Sequence, residues 1–229
     1  MNGNFFTLDE FNDAKRKIEP VFCVERRLPD QVFKRSYQFH LLCEFNFAMD
    51  DLQQALEKTR SPLADETVLS CALDPDPITF YDKEFHKIYG FYFKANFSLA
   101  EYLHMLWVEV CPGDEPSEFL FTEVEVYLPE SASWAMWGER SRDIAAIGLD
   151  DPALAAFLVN ETGYCMDADT ALGSFAKLPF AGQKVPEDFR RALTANYGSR
   201  DDLEKKLGRK VRHAGRSSNR RPPPRRTST

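Results

Sequence analysis

The chain has 229 residues, enough for one core of ordinary size that needs neither disulfides nor a metal to hold it. Its 29 basic and 36 acidic residues give a formal charge of -7, but eight of the basic residues (Arg209, Lys210, Arg212, Arg216, Arg220, Arg221, Arg225 and Arg226) fall within residues 209–229, which hold no acid. Residues 1–208 therefore carry 21 basic against 36 acidic side chains, about -15, a field that repels nucleic acid and membrane surfaces and suits either a basic partner or plain solubility.

Cys23, Cys43, Cys71, Cys111 and Cys165 are odd in number, widely spaced and without a CxxC pair, so they read as reduced, mostly buried thiols. The start MNGNFFTLDEF lacks the pattern of a signal peptide, and no apolar run is long enough to span a membrane. A cytoplasmic protein is expected.

Thr7 and Glu10 have the spacing of a capping box, followed by Leu8, Phe11, Ala14 and Ile18 on one helical face until Pro20. From Tyr37 to Phe47 the period becomes two, which predicts a long half-buried strand; Asp50 then caps a helix carrying Leu52, Ala55 and Leu56. TVLSCAL is strand-like and is broken by Asp74-Pro-Asp-Pro77, and GFYFKANF (90–97) alternates again. EYLHMLWVEV and EFLFTEVEVYL, separated by CPGDEPS, predict a hairpin, with His104 semi-buried in its first strand. His86 is expected at the surface. After Leu149, Asp151-Pro152 starts a helix, Pro186 to Gly198 brackets a second, and Ser199 to Gly208 a third.

Residues 133–149, SWAMWGERSRDIAAIGL, read as a strand, a polar turn at Gly138–Asp143 and a buried strand. In a strand Trp134 and Trp137 point to opposite faces, so one of them is expected at a rim, where Trp and Arg commonly anchor interfaces; core packing beside a solvated turn is the weightier reading. The order Ser-Trp, a second Trp, Gly-Glu-Arg and an apolar strand resembles bacterial immunity-type proteins that neutralise toxins. Over these roughly twenty residues, that resemblance implies an acidic cytosolic protein which binds a cognate toxin and has no catalytic residues.

On the strand ending at Leu128, Phe119, Phe121, Glu123, Glu125 and Tyr127 share the face away from the core, with Glu109 expected on the neighbouring strand and His40 and Glu44 near only if the strand order allows. Such glutamates form a solvated or acidic recognition face, or with a histidine they serve hydrolysis or hold a metal. No nucleophile elbow, phosphate loop or metal-spaced histidine pair is present, and His40 and Cys43 fall on opposite strand faces, so neither cofactor nor catalytic residues are expected. Residues 209–229, rich in Arg and Pro and free of aromatics, read as a disordered tail that is solvated, grips phosphates weakly or serves as an adaptor ligand.

The expectation is thus one acidic α+β domain over residues 1–208. It has a central antiparallel sheet of about six to eight strands over residues 36–149, an N-terminal helix and C-terminal helices. Its expected function is non-enzymatic binding of a basic protein partner, with Glu109, Glu123, Glu125, Trp134, Trp137, Glu139 and Arg140 as contacts. Alternatives are a carboxylate-based enzyme and a tail-borne adaptor.

Overall fold

The computed structural model describes residues 5–50, 67–83, 86–94, 97–106 and 122–208. Seven strands form one antiparallel sheet: β1 (Phe5–Phe6), β2 (Phe39–Glu44), β3 (Thr67–Asp74), β4 (Ile88–Lys94), β5 (Val124–Pro129), β6 (Trp134–Glu139) and β7 (Ile144–Leu149), in the order β1-β4-β3-β5-β6-β7-β2. Helices α1 (Leu8–Ile18), α2 (Phe45–Asp50), α3 (Leu99–Leu106), α4 (Pro152–Asn160), α5 (Ala168–Gly173), α6 (Glu187–Tyr197) and α7 (Arg200–Leu207) surround it. The expected α+β architecture with N- and C-terminal helices is what the chain forms, though β1 lies outside residues 36–149, at the edge beside β4.

Local chemistry sets most boundaries. The Thr7–Glu10 capping box starts α1, and a matching Ser199–Asp202 box starts α7, which ends at Gly208 with a φ of 64°. Asp151 accepts from the Ala153 and Leu154 amides at the head of α4, with Pro152 at the first helical position. Each such cap is worth about 1 kcal/mol.

Two predicted strands are corrected. The Tyr37–Phe47 strand stops at Glu44; Phe45 and Phe47 instead lie in α2, both buried, because the chain turns there to lay the Phe45 ring against Gly138 of β6. The expected strand at EYLHML is overridden by a cap: Ser98 accepts from the Glu101 amide while Glu101 accepts from the Ser98 amide, and the segment coils into α3. His104 consequently stands exposed on a helix. Of the rest of that predicted hairpin, residues 124–128 form part of β5, while residues 107–121, with Glu109 and Cys111, lie outside the described residues, as do the Leu52–Leu56 helix and the 209–229 tail.

Both faces of the sheet are covered. On one, Leu42, Leu69, Val124, Val126, Trp137 and Ala146 pack with Phe11, Ala14 and Ile18 of α1, with Ala171 and Leu172 of α5, and with Phe189 and Leu193 of α6. The irregular segment 21–37 completes this layer through Phe22, Leu28, Val32 and Phe33. On the other, Leu41, Cys43, Phe93, Tyr127, Trp134, Met136 and Ile147 pack with Tyr102 of α3, with Leu154, Leu158 and Val159 of α4, and with Leu203 of α7. Among the described residues no helix is long and apolar enough to cross a membrane.

Candidate functional site

The Trp-Gly-Glu-Arg stretch is consumed by packing. β6 is an interior strand, so Trp134 and Trp137 do point to opposite faces, but each face has its own layer and they are 2% and 0% exposed. Neither reaches a rim, which corrects that expectation. Trp137 sits under the Phe22 ring, 5.9 Å between centroids, with the Arg27 guanidinium 5.8 Å from its ring. Gly138 is required because a Cβ there would lie 2.9 Å from the Phe45 ring.

Glu139 is likewise buried, at 2% exposure. Its Oε2 accepts the Leu28 amide at 2.9 Å and its Oε1 lies 3.5 Å from the Arg142 Nε. Burial pushes its carboxyl above the usual range, against the pull of the Leu28 amide, Trp137, Arg142 and Arg27. Arg140 is half-buried; its Nε donates to the Thr122 carbonyl at 2.8 Å and its guanidinium lies 4.8 Å from the centre of the Phe45 ring.

Glu123 and Glu125, expected on one wet face, have separate roles. Glu123 is half-buried just before β5, where its carboxylate accepts the Ser141 amide at 2.8 Å and its carbonyl accepts the Arg140 amide at 2.8 Å, fastening the β6–β7 turn. Glu125 is fully buried, a correction with a clear cause: its face lies under α3 rather than in solvent. Ser70 Oγ donates to its Oε1 at 2.5 Å, while Oε2 has no hydrogen-bond partner. The Tyr102 and Tyr127 hydroxyls form a 2.5 Å hydrogen bond on the same side of the sheet. Burial raises the Glu125 carboxyl to about 7, opposed by Ser70, Tyr127 and the Arg140 charge. This centre can hold a proton near neutrality, but it is sealed from solvent.

His40 and Glu44 are not brought to these glutamates, because β2 is the far edge strand and β6 and β7 intervene. His40 stacks on Phe33 and meets Tyr197 edge-on, and burial, with a smaller push from Lys206, lowers its pKa to about 4 against the opposing charge of Asp150. Among the described residues no group of three His, Cys, Asp or Glu side chains could hold a metal ion. A surface cleft of about 310 Å³ between Lys17, Tyr92 and Leu128 contains none of the residues singled out above.

What the fold does assemble at one end of the sheet is a turn of mixed charge, Glu139–Asp143, with Asp143 half-buried beside Glu44. Asp143 closes the 3-10 turn Arg140–Arg142 with a φ of 53°, a left-handed conformation in which Asp and Asn are enriched. The Phe45 amide donates to its carbonyl at 3.3 Å, which sets the β6–β7 turn beside Glu44 at the end of β2. Burial and the Glu44 charge together hold the Asp143 carboxyl above its usual range. Sequence reasoning missed Asp143, although a polar connector ending in Asp is itself a signal for a left-handed residue. It also missed Ser70, a lone hydroxyl inside the apolar run VLSCAL.

In comparisons with family models, with curated proteins and with solved structures, nothing matches the chain.

Proposed function

We propose that the chain is a non-enzymatic protein-binding module, an inhibitor of the toxin-immunity type, that meets a basic partner through acids at the turn end of its sheet. The reading rests on one observation: the Phe45 amide on the Asp143 carbonyl and the pairing of Glu44 with Ile144 set two half-buried acids, Glu44 and Asp143, beside each other at the turn end of the sheet. A cationic side chain of a partner docked at this turn meets both carboxylates at once. Glu123 stands on the same turn through the Ser141 amide and adds to the field. The excess of acids over residues 1–208 supports steering of a basic partner towards this end.

The test is affinity capture from the native host at low and moderate salt, with binding then titrated against the captured partner. The Glu44→Gln/Asp143→Asn double variant, whose Asn suits the left-handed position, is expected to bind at least about tenfold more weakly. The chain shortened to residues 1–208 is expected to bind as the full chain does. Equal binding by the double variant, or loss of binding on removing residues 209–229, refutes this reading.

A further inference from the structure

Cys43 and Cys165 are far apart in sequence and adjacent in space. Leu42 of β2 and Met166, in the connection between α4 and α5, form an isolated antiparallel bridge in which each amide donates to the other's carbonyl at 2.8 Å. One step along an antiparallel register, Cys43 faces Cys165. Because Leu42 and Met166 exchange both hydrogen bonds, the cysteines occupy the next, non-hydrogen-bonded site, where Cα atoms approach to about 4.5 Å in general, inside the range that a disulfide spans. Both side chains point into the same apolar cluster, beside Leu41, Met136 and Leu158, and both are 0% exposed. They are free thiols, with Cys43 Sγ directed at the Ala145 carbonyl at 3.7 Å. The Cys43 thiol is raised first by burial and then by its contact with Cys165, which places the two sulfurs within interaction range.

We propose that Cys43 and Cys165 form a latent cross-strand disulfide that, once oxidised, latches the α4–α5 connection onto edge strand β2. The oxidant is a small disulfide of the glutathione class. One cysteine thiolate attacks it, releasing one glutathione thiol; the second cysteine then displaces the other glutathione from the mixed disulfide. Two protein thiols become one S–S bond while one glutathione disulfide becomes two thiols, so protons and electrons balance. In the closed fold the burial that raises Cys43 makes the pair slow to react. Reaction therefore follows release of the two hydrogen bonds at Leu42 and Met166, a local event rather than global unfolding. The latch closes a loop from residue 43 to residue 165, a long span of the kind whose closure restricts the unfolded chain strongly.

The test uses the full chain, incubated natively and, in parallel, refolded from urea, in glutathione buffers of increasing oxidised fraction. Free thiols are then alkylated and the peptides mapped by mass spectrometry. The expected result is a linked Cys43–Cys165 peptide, formed slowly in the native arm and readily in the refolded arm. Oxidation should raise the thermal midpoint by on the order of 5 to 15 °C, reversed by dithiothreitol. Cys43→Ala and Cys165→Ala should each lose the link and the shift, and Cys71→Ala should keep both. A link in the refolded arm alone overturns the latch, because the native fold then does not open locally to close it. Free Cys43 and Cys165 in both arms, or linkage of either to another cysteine, overturns the proposal.

Discussion

Replacing Glu125 by Gln should stabilise the protein at pH 8 and leave it unchanged at pH 4.5. The folded carboxyl titrates at about 7 against a usual value of 4.5, because burial costs the charged form more than Ser70, Tyr127 and Arg140 restore. Below pH 4.5 the group is protonated in both folded and unfolded chains and adds no pH dependence. As pH rises from 4.5, the unfolded chain releases the proton and the folded chain holds it, so stability falls until the folded carboxyl itself ionises near 7. The total loss is about 3 kcal/mol. Gln keeps an oxygen to accept from Ser70 Oγ, and its amide nitrogen takes the place of Oε2, which lacks a partner already. Urea unfolding followed by tryptophan fluorescence at pH 4.5 to 8 should show the two midpoints coinciding at the acid end. They should separate by about 1 to 2 M at pH 8, the variant being the more stable. Parallel curves, or a variant less stable at pH 8, would refute the account of Glu125 as a desolvated, near-neutral carboxyl.

His40 contributes with the opposite sign in an overlapping range: its pKa is lowered to about 4 from 6.5, so its stabilising share is complete above 6.5 and is lost as pH falls towards 4. His40→Phe, which keeps the stack on Phe33, should remove an acid-side loss of about 3 kcal/mol in the same urea titration; an unchanged slope between pH 4 and 6.5 would refute it. Gly148→Ala on β7 would set a Cβ 2.4 Å from the Tyr37 ring, which is buried and bonded through its hydroxyl to the Ala132 carbonyl, so a loss of about 1 to 3 kcal/mol is expected in thermal unfolding. Gly173→Ala, with nothing within 4 Å of the added carbon, should instead be neutral or stabilising by up to about 1 kcal/mol.

The capped helices were legible because their signals are local. Thr7-x-x-Glu10, Asp151-Pro152 and Ser199 to Gly208 each specify an end through side chains within a few residues of it. The α3 helix is specified just as locally, by Ser98-x-x-Glu101, but the apolar residues that follow suit a buried strand as well as a helix. Strands β6 and β7 were legible as a hairpin, yet the fate of the tryptophans was not. Which faces of a sheet are covered is a tertiary property, decided here by α3, α4 and the irregular segment 21–37, which carries no period.

That double coverage determines which acids stay accessible at the surface. In a sheet with one wet face, Glu123 and Glu125 would present a broad acidic surface; with both faces packed, Glu125 and Glu139 become buried carboxyls raised by desolvation and withdrawn from contact. On the function proposed above, recognition falls to positions where the pleat ends and the chain turns. Of these, the β6–β7 turn carries Glu123, fastened to the Ser141 amide, on one side and Asp143, beside Glu44 of β2, on the other. The Trp-Gly-Glu-Arg stretch thus acts one step removed from the surface: Trp137, Gly138 and Glu139 pack beneath the turn, and the turn positions Asp143.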